Sequence, residues 1–190
     1  MNDSPRFILA STSPRRKEIL TKMGLTFDVV APNFDEHTVF ETSPQKLVKK
    51  LSQEKARRVQ DDSAVVIAAD TIVIKGDKRY SKPLTREKAI AMLEELCGEW
   101  HEVYTGVTVS YLGKAETFAE KSKVKLKSLS KAQIEKYVDE YKPLDKAGAY
   151  GIQDDFVVEE YKGSYSNIVG LPREKLSEAL QKFGVYHGIH

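Results

Sequence analysis

Phe7-Ile8-Leu9-Ala10-Ser11-Thr12-Ser13-Pro14-Arg15-Arg16 takes the chain from a short apolar run into a helical pattern. It reads as a strand over Arg6–Ala10 delivering the backbone to the N-terminus of a helix over 14–23, which Gly24 ends. The free N–H groups and the dipole at a helix start attract anions, whereas cations there are unfavourable unless something negative lies between them. Three hydroxyls and two guanidiniums at such a turn therefore point to an anion, in the first place a phosphate. Working outward, the same alternation repeats. Residues 26–31 read as a second strand. Ser43-Pro44 opens a helix to about Val59, with serine as cap and proline in the first turn. Ala64 to Ala69 is a nearly continuous apolar run, as in a strand buried on both faces, and it continues past Asp70-Thr71 into Ile72-Val73-Ile74.

The second half changes character. Thr85 caps a helix ending at Cys97-Gly98. Residues 103–112 and 117–126 alternate apolar and polar positions around Gly113 and read as a long antiparallel pair. Ser130-Lys131-Ala132-Gln133 has the form of a capping box for a helix to Tyr141. A strand over 156–161 and a helix over 172–183 complete the chain. The fold class is α/β with a mixed, partly antiparallel sheet flanked by helices.

Lys and Arg total 30 against 28 Asp and Glu, a net charge of +2, which does not indicate a general nucleic-acid binder. A polyanion must then be met by a local cluster of cations. Cys97 is the only cysteine, so internal disulfides and cysteine-rich zinc sites are excluded. Met1-Asn2-Asp3-Ser4-Pro5 is polar, without a signal-like apolar core, and no stretch reaches membrane-spanning length. A soluble cytoplasmic protein without membrane contact is the expectation. His187 and His190 near the end read as terminal residues rather than metal ligands.

Asp70 stands between two apolar runs, at or near a buried strand end. An unpaired buried charge is costly, so it needs a metal, a lysine or N–H donors, unless it merely caps a turn between short strands. Asp35-Glu36 reads as ordinary surface on its own; beside Asp70 it could add hard oxygen ligands for magnesium or manganese. Lys82, in Ser81-Lys82-Pro83, and Lys55, among charged neighbours, read singly as solvated side chains. Asp145-Lys146-Ala147-Gly148-Ala149-Tyr150-Gly151-Ile152-Gln153 reads as a glycine turn, although an amide such as Gln153 can address a base edge with one donor and one acceptor. Walker, dinucleotide-binding, zinc-protease and nucleophile-elbow motifs are all missing. Cys97 reads as an inert thiol.

Together these pieces resemble the Maf family of nucleotide pyrophosphatases. The resemblance is carried by Leu9 to Glu18, Ala69-Asp70-Thr71, Lys82-Pro83, Asp145 to Gln153 and Val169-Gly170-Leu171-Pro172, in the family's order and over nearly the whole chain. It implies one domain over 1–190, made of two lobes around a deep central cleft and related to inosine-triphosphate pyrophosphatases. It implies divalent-metal-dependent cleavage of a nucleoside triphosphate into monophosphate and pyrophosphate. Arg15, Thr71 and Gln153 resemble the dTTP/UTP branch rather than the branch acting on 7-methyl-GTP. Carried over, Asp70 is the proton acceptor and contacts the metal, and Glu36 helps to hold it. Ser11, Arg15, Arg16, Lys55 and Lys82 bind phosphates, and Thr71 and Gln153 bear on base choice. A homodimer is common in the family.

Three departures stand out: Ser81 precedes Lys82-Pro83 in place of glycine, the segment after Gln153 is shortened to Asp154-Asp155, and Glu99-Trp100-His101 replaces a small-Arg-x-His pattern. The second adjoins the base-reading position and bears on nucleotide preference. Other readings are the same chemistry on 7-methyl-GTP or a modified pyrimidine triphosphate, a non-hydrolysing nucleotide-binding regulator of septum formation, and a phosphosugar-binding or phosphotransfer enzyme.

Overall fold

Strand β1 (Arg6–Ala10) sits between two parallel neighbours, β2 (Phe27–Val29) and β3 (Ala64–Lys75). Parallel neighbours require crossovers, which α1 (Pro14–Lys22) and α2 (Pro44–Arg58) provide. The computed structural model describes residues 4–188. Met1–Asp3 and the last two residues, including His190, lie outside the described residues. β4 (Lys78–Tyr80) returns antiparallel on β3, and α3 (Arg86–Leu96) follows. Next come β5 (Trp100–Tyr111), β6 (Lys114–Leu126), α4 (Lys131–Tyr141), β7 (Val158–Lys162), α5 (Tyr165–Val169) and α6 (Arg173–Lys182). The sheet is mixed, in the order β2-β1-β3-β5-β6-β7 with β4 paired to β3.

Capping explains most helix starts. Ser13, Ser43 and Thr85 each accept a backbone N–H of the first turn, and Ser130 with Gln133 forms the expected capping box. The β5–β6 connection is the two residues Leu112-Gly113, both at positive φ (51° and 77°). That is the turn whose twist matches a tight antiparallel hairpin, so pairing runs up to it and both strands are longer than the alternation alone suggests.

Other boundaries also move. β2 is shorter than 26–31, because it lies at the sheet edge and its pairing with β1 ends at Leu9↔Val29. β7 starts two residues later than expected: Phe156 stacks on Tyr137 at 5.6 Å between ring centroids, and Val157 is fully buried. The short helix α5 begins where Ser164 Oγ accepts the Asn167 N–H at 3.1 Å.

The chain forms two compact units. The first comprises Met1–Asp70, Thr105–Glu120 and Gly170–His190, and the second Thr71–Tyr104 and Lys121–Val169. The first has a small-residue layer of Ile8, Ala10, Ala56, Ala64, Val66 and Ala68 between sheet and α2. The second packs α3 and α4 through residues including Leu93, Leu96, Ile134, Tyr137 and Val138. No described helix is long and apolar enough to cross a membrane.

Candidate active site

In the first unit the turn after β1 forms as its sequence implies. Ser13 caps α1, Pro14 occupies the first turn, and no acid is present there. Ser11 is buried; its Oγ accepts from Ser13 N and from Arg16 Nη1, both at 3.2 Å. Arg16 Nε donates to the Gly170 carbonyl at 2.8 Å, so its guanidinium is held on two sides. Burial pulls the Arg16 pKa down from the arginine value, the Asp70 field raises it, Arg15 lowers it and Glu36 raises it. A guanidinium stays charged through such opposing effects. Arg15, Asp70 and Glu36 are thus each within electrostatic reach of Arg16.

Asp70 lies inside β3 rather than at a strand end, and caps no turn: β3 is continuous from Ala64 to Lys75. Its side chain follows Ala64, Val66 and Ala68 on one face of the strand, the face that packs on Ala56 of α2. Those small side chains let the helix come close, and Lys55, next to Ala56, reaches the carboxylate. Its Nζ donates to Asp70 Oδ1 at 2.7 Å and stands 2.9 Å from Glu36 Oε1. The Lys55 side chain is only 12% exposed, which corrects its reading as a solvated charge. The signal was present, since position 55 lies one turn beyond buried Leu51 and Ser52 on the face that α2 buries. Asp70 Oδ2 is buried and makes no hydrogen bond among the described residues.

Two contacts set the height of α2. At Gly106 a Cβ would stand 2.1 Å from the Val48 carbonyl oxygen, so the helix backbone rests directly on β5. One turn on, Ser52 Oγ and Thr108 Oγ1 are 2.8 Å apart, and Thr108 Oγ1 is 2.9 Å from Thr117 Oγ1. The adjacent acids of the 35–36 loop divide their work. Asp35 caps a 3₁₀ turn by accepting the His37 N–H at 3.0 Å, which leaves Glu36 to meet Lys55.

The second unit holds Thr71, Lys82 and Gln153. Thr71 follows Asp70 on β3 and is partly buried, whereas Lys82 and Gln153 are exposed. The loop ending in Gln153 is held by two tyrosines, a histidine and the Asp154 carboxylate, which also faces Lys146 at 3.9 Å. Tyr150 Oη lies 2.6 Å from His101 Nε2. Tyr137 Oη donates to Asp154 Oδ2 at 2.5 Å and accepts the Gly151 N–H at 3.1 Å. Gly148, at φ +74°, needs its missing Cβ: one there would press on Val73 and Tyr150 at 3.2 and 3.3 Å. Burial pushes the His101 pKa down to about 4 and raises both phenols above the tyrosine range. His101 and Tyr137 were not singled out as supports of this loop. Neither carries a local signal, because their partners lie 49 and 17 residues away in sequence. Cys97 has its thiol pushed up to about 11 by burial, which fits an inert side chain.

No three His, Cys, Asp or Glu side chains gather into a metal cluster among the described residues. The Glu36–Asp70 pair, with one buried oxygen unused, nevertheless fits a hard divalent cation. Magnesium and manganese are commonly held by one or two carboxylates, with waters and phosphate oxygens completing the shell.

The family model described as "Maf-like protein" matches residues 6–183. The chain is similar to a Thermosipho africanus protein named dTTP/UTP pyrophosphatase, at 44% identity over 95% of this chain and 94% of that one. A Thermosipho melanesiensis protein of the same name is 46% identical over 91% of this chain and 95% of that one. A Desulforamulus reducens protein, also so named, is 44% identical over 94% and 96% respectively. Among solved structures, the Staphylococcus aureus Ham1 protein matches with a TM-score of 0.40 and 17% identity, over 64% of this chain and 71% of that one.

Proposed function

The chain belongs to the Maf family, and from that premise we propose that it hydrolyses nucleoside triphosphates, dTTP and UTP first, to the monophosphate and pyrophosphate. The observation that carries this reading is the buried Asp70, paired through Oδ1 to Lys55 and with Oδ2 unused, beside the Ser11–Arg16 turn. Glu36 and Asp70 would hold a divalent cation. When bound, it supplies charge neutralisation at the phosphates and makes water a better nucleophile.

The chain's own residues do the rest. Asp70 Oδ2 takes the proton of the attacking water as an O–P bond forms at the α-phosphorus and the bridge to the β-phosphate breaks. Lys55, Arg15, Arg16 and the N–H groups opening α1 take phosphate oxygens and stabilise the departing pyrophosphate. Ser11 keeps the Arg16 fork in orientation and can also donate to phosphate. In the second unit, Lys82 is assigned to phosphate, and Thr71 and Gln153 to base choice, on the family pattern.

A panel of triphosphates, including dTTP, UTP, GTP and 7-methyl-GTP, assayed separately for pyrophosphate and orthophosphate, tests the reading. Pyrophosphate and monophosphate in equal amounts, fastest from dTTP and UTP, are expected. Orthophosphate as the product, or no turnover with magnesium, manganese or cobalt, overturns it.

A further inference from the structure

We propose that Lys55 is a built-in placeholder for the divalent cation, so that the metal enters this site together with the triphosphate and not before it. This rests on the pyrophosphatase reading above for the identity of the ligands. The Lys55 ammonium lies 2.7 Å from Asp70 Oδ1 and 2.9 Å from Glu36 Oε1, which are the two carboxylates suited to the cation. It therefore stands where a positive charge is required, and a second cation there meets an ammonium first.

The surrounding charge points the same way. Lys55 and Arg16 already offset the two carboxylates, and Arg15 lies within electrostatic reach of Arg16. A lone divalent ion adds positive charge that the two carboxylates no longer have spare charge to meet. A triphosphate, with about four negative charges, meets it and offers phosphate oxygens to the displaced ammonium.

The exchange needs no backbone movement. The Ser52–Thr108 hydrogen bond at 2.8 Å and the seat on Gly106 hold α2 in place. The lysine has a flexible four-carbon stem, so the ammonium can swing from carboxylate to phosphate while its helix stays fixed. The unused Asp70 Oδ2 stays available to accept the water's proton while Oδ1 passes from ammonium to metal.

The test is titration of manganese alone, followed by free-ion electron paramagnetic resonance, with and without an α,β-imido analogue of dTTP. The wild-type protein should bind manganese alone about tenfold or more weakly than with the analogue, the scale of one uncompensated charge in a partly buried site. Lys55→Gln should bind manganese alone about tenfold more tightly than wild type and lose much of the dependence on analogue. Adding Glu36→Gln to that variant should remove the gain, which locates the ion at this pair. Equal wild-type binding with and without analogue, no manganese binding under either condition, or no gain in Lys55→Gln overturns the proposal. A protein-free series with the analogue subtracts the manganese that the triphosphate itself binds, and should Lys55→Gln fail to fold, Lys55→Met makes the same comparison. A protein that turns over no triphosphate but shows the metal-alone gain in Lys55→Gln would refute the pyrophosphatase reading and leave the placeholder standing.

Discussion

The first unit gathers several charges around one buried carboxylate, whereas the second supports its loop mainly through a histidine and two tyrosines, with the single Lys146–Asp154 pair beside them. Around Asp70 an ammonium, a guanidinium and two carboxylates offset one another in a partly buried cluster. Around Gln153 the supports are His101, Tyr150 and Tyr137, and burial moves each toward its uncharged form. Phosphate chemistry needs fixed charge, which is tolerable indoors only where each charge has a partner. The Gln153 loop is held in shape largely by hydrogen bonds from uncharged rings.

Four experiments can break or sharpen that contrast. Asp70→Asn should lose about a thousandfold in turnover, within the range of a general base, with the circular dichroism spectrum kept and the melting temperature lowered, because the Lys55 ammonium loses its buried carboxylate partner. Turnover within a few-fold of wild type would remove Asp70 from the proton transfer.

His101 makes the opposite prediction, on stability and pH. Its folded pKa of about 4 lies below the value of about 6.5 for a free imidazole, so the unfolded chain binds more protons between those values. Stability should be highest above pH 6.5 and fall by about 3 kcal/mol as pH drops towards 4. Lys75 adds slightly to the depression. Urea midpoints at pH 7 and 5 should converge in His101→Gln; an unchanged pH slope would show that another group carries it.

Gly106→Ala should cost about 1–3 kcal/mol, because its Cβ meets the Val48 carbonyl oxygen at 2.1 Å and α2 must move. Turnover should fall with it, since Lys55 rides on that helix. A variant with an unchanged melt would show that α2 is not seated as described. The smallest effect is expected at Gln153→Ala: a shift of about tenfold in the dTTP-to-GTP ratio of kcat/KM, the worth of one or two hydrogen bonds. An unaltered ratio would take Gln153 out of base choice.

Much of this was readable in the chain. The strand–turn–helix at Phe7–Arg16, the capping box at Ser130 and the proline-started α2 follow from periodicity and capping, which act over a few residues. Strand ends were less readable: the start of β7 depends on Phe156 stacking on Tyr137, and the end of β2 on having a neighbour on one side only. Asp70 announced itself as a charge inside an apolar run, but its place within a continuous strand needed the antiparallel partner β4.

The sequence by itself determined an α/β chain, a helix start with two arginines and no acid, and the family to which the motifs point, since all of these are written in local order. Only the tertiary structure decided that Lys55 is buried against Asp70, that Glu36 rather than Asp35 joins it, and that His101 and Tyr137 hold the Gln153 loop. The physical reason is that a side chain's charge partner and solvent exposure depend on what packs against it. Those neighbours come from distant parts of the chain, here brought together by the pairing of β1 with β3 and by the close seat of α2 on Gly106.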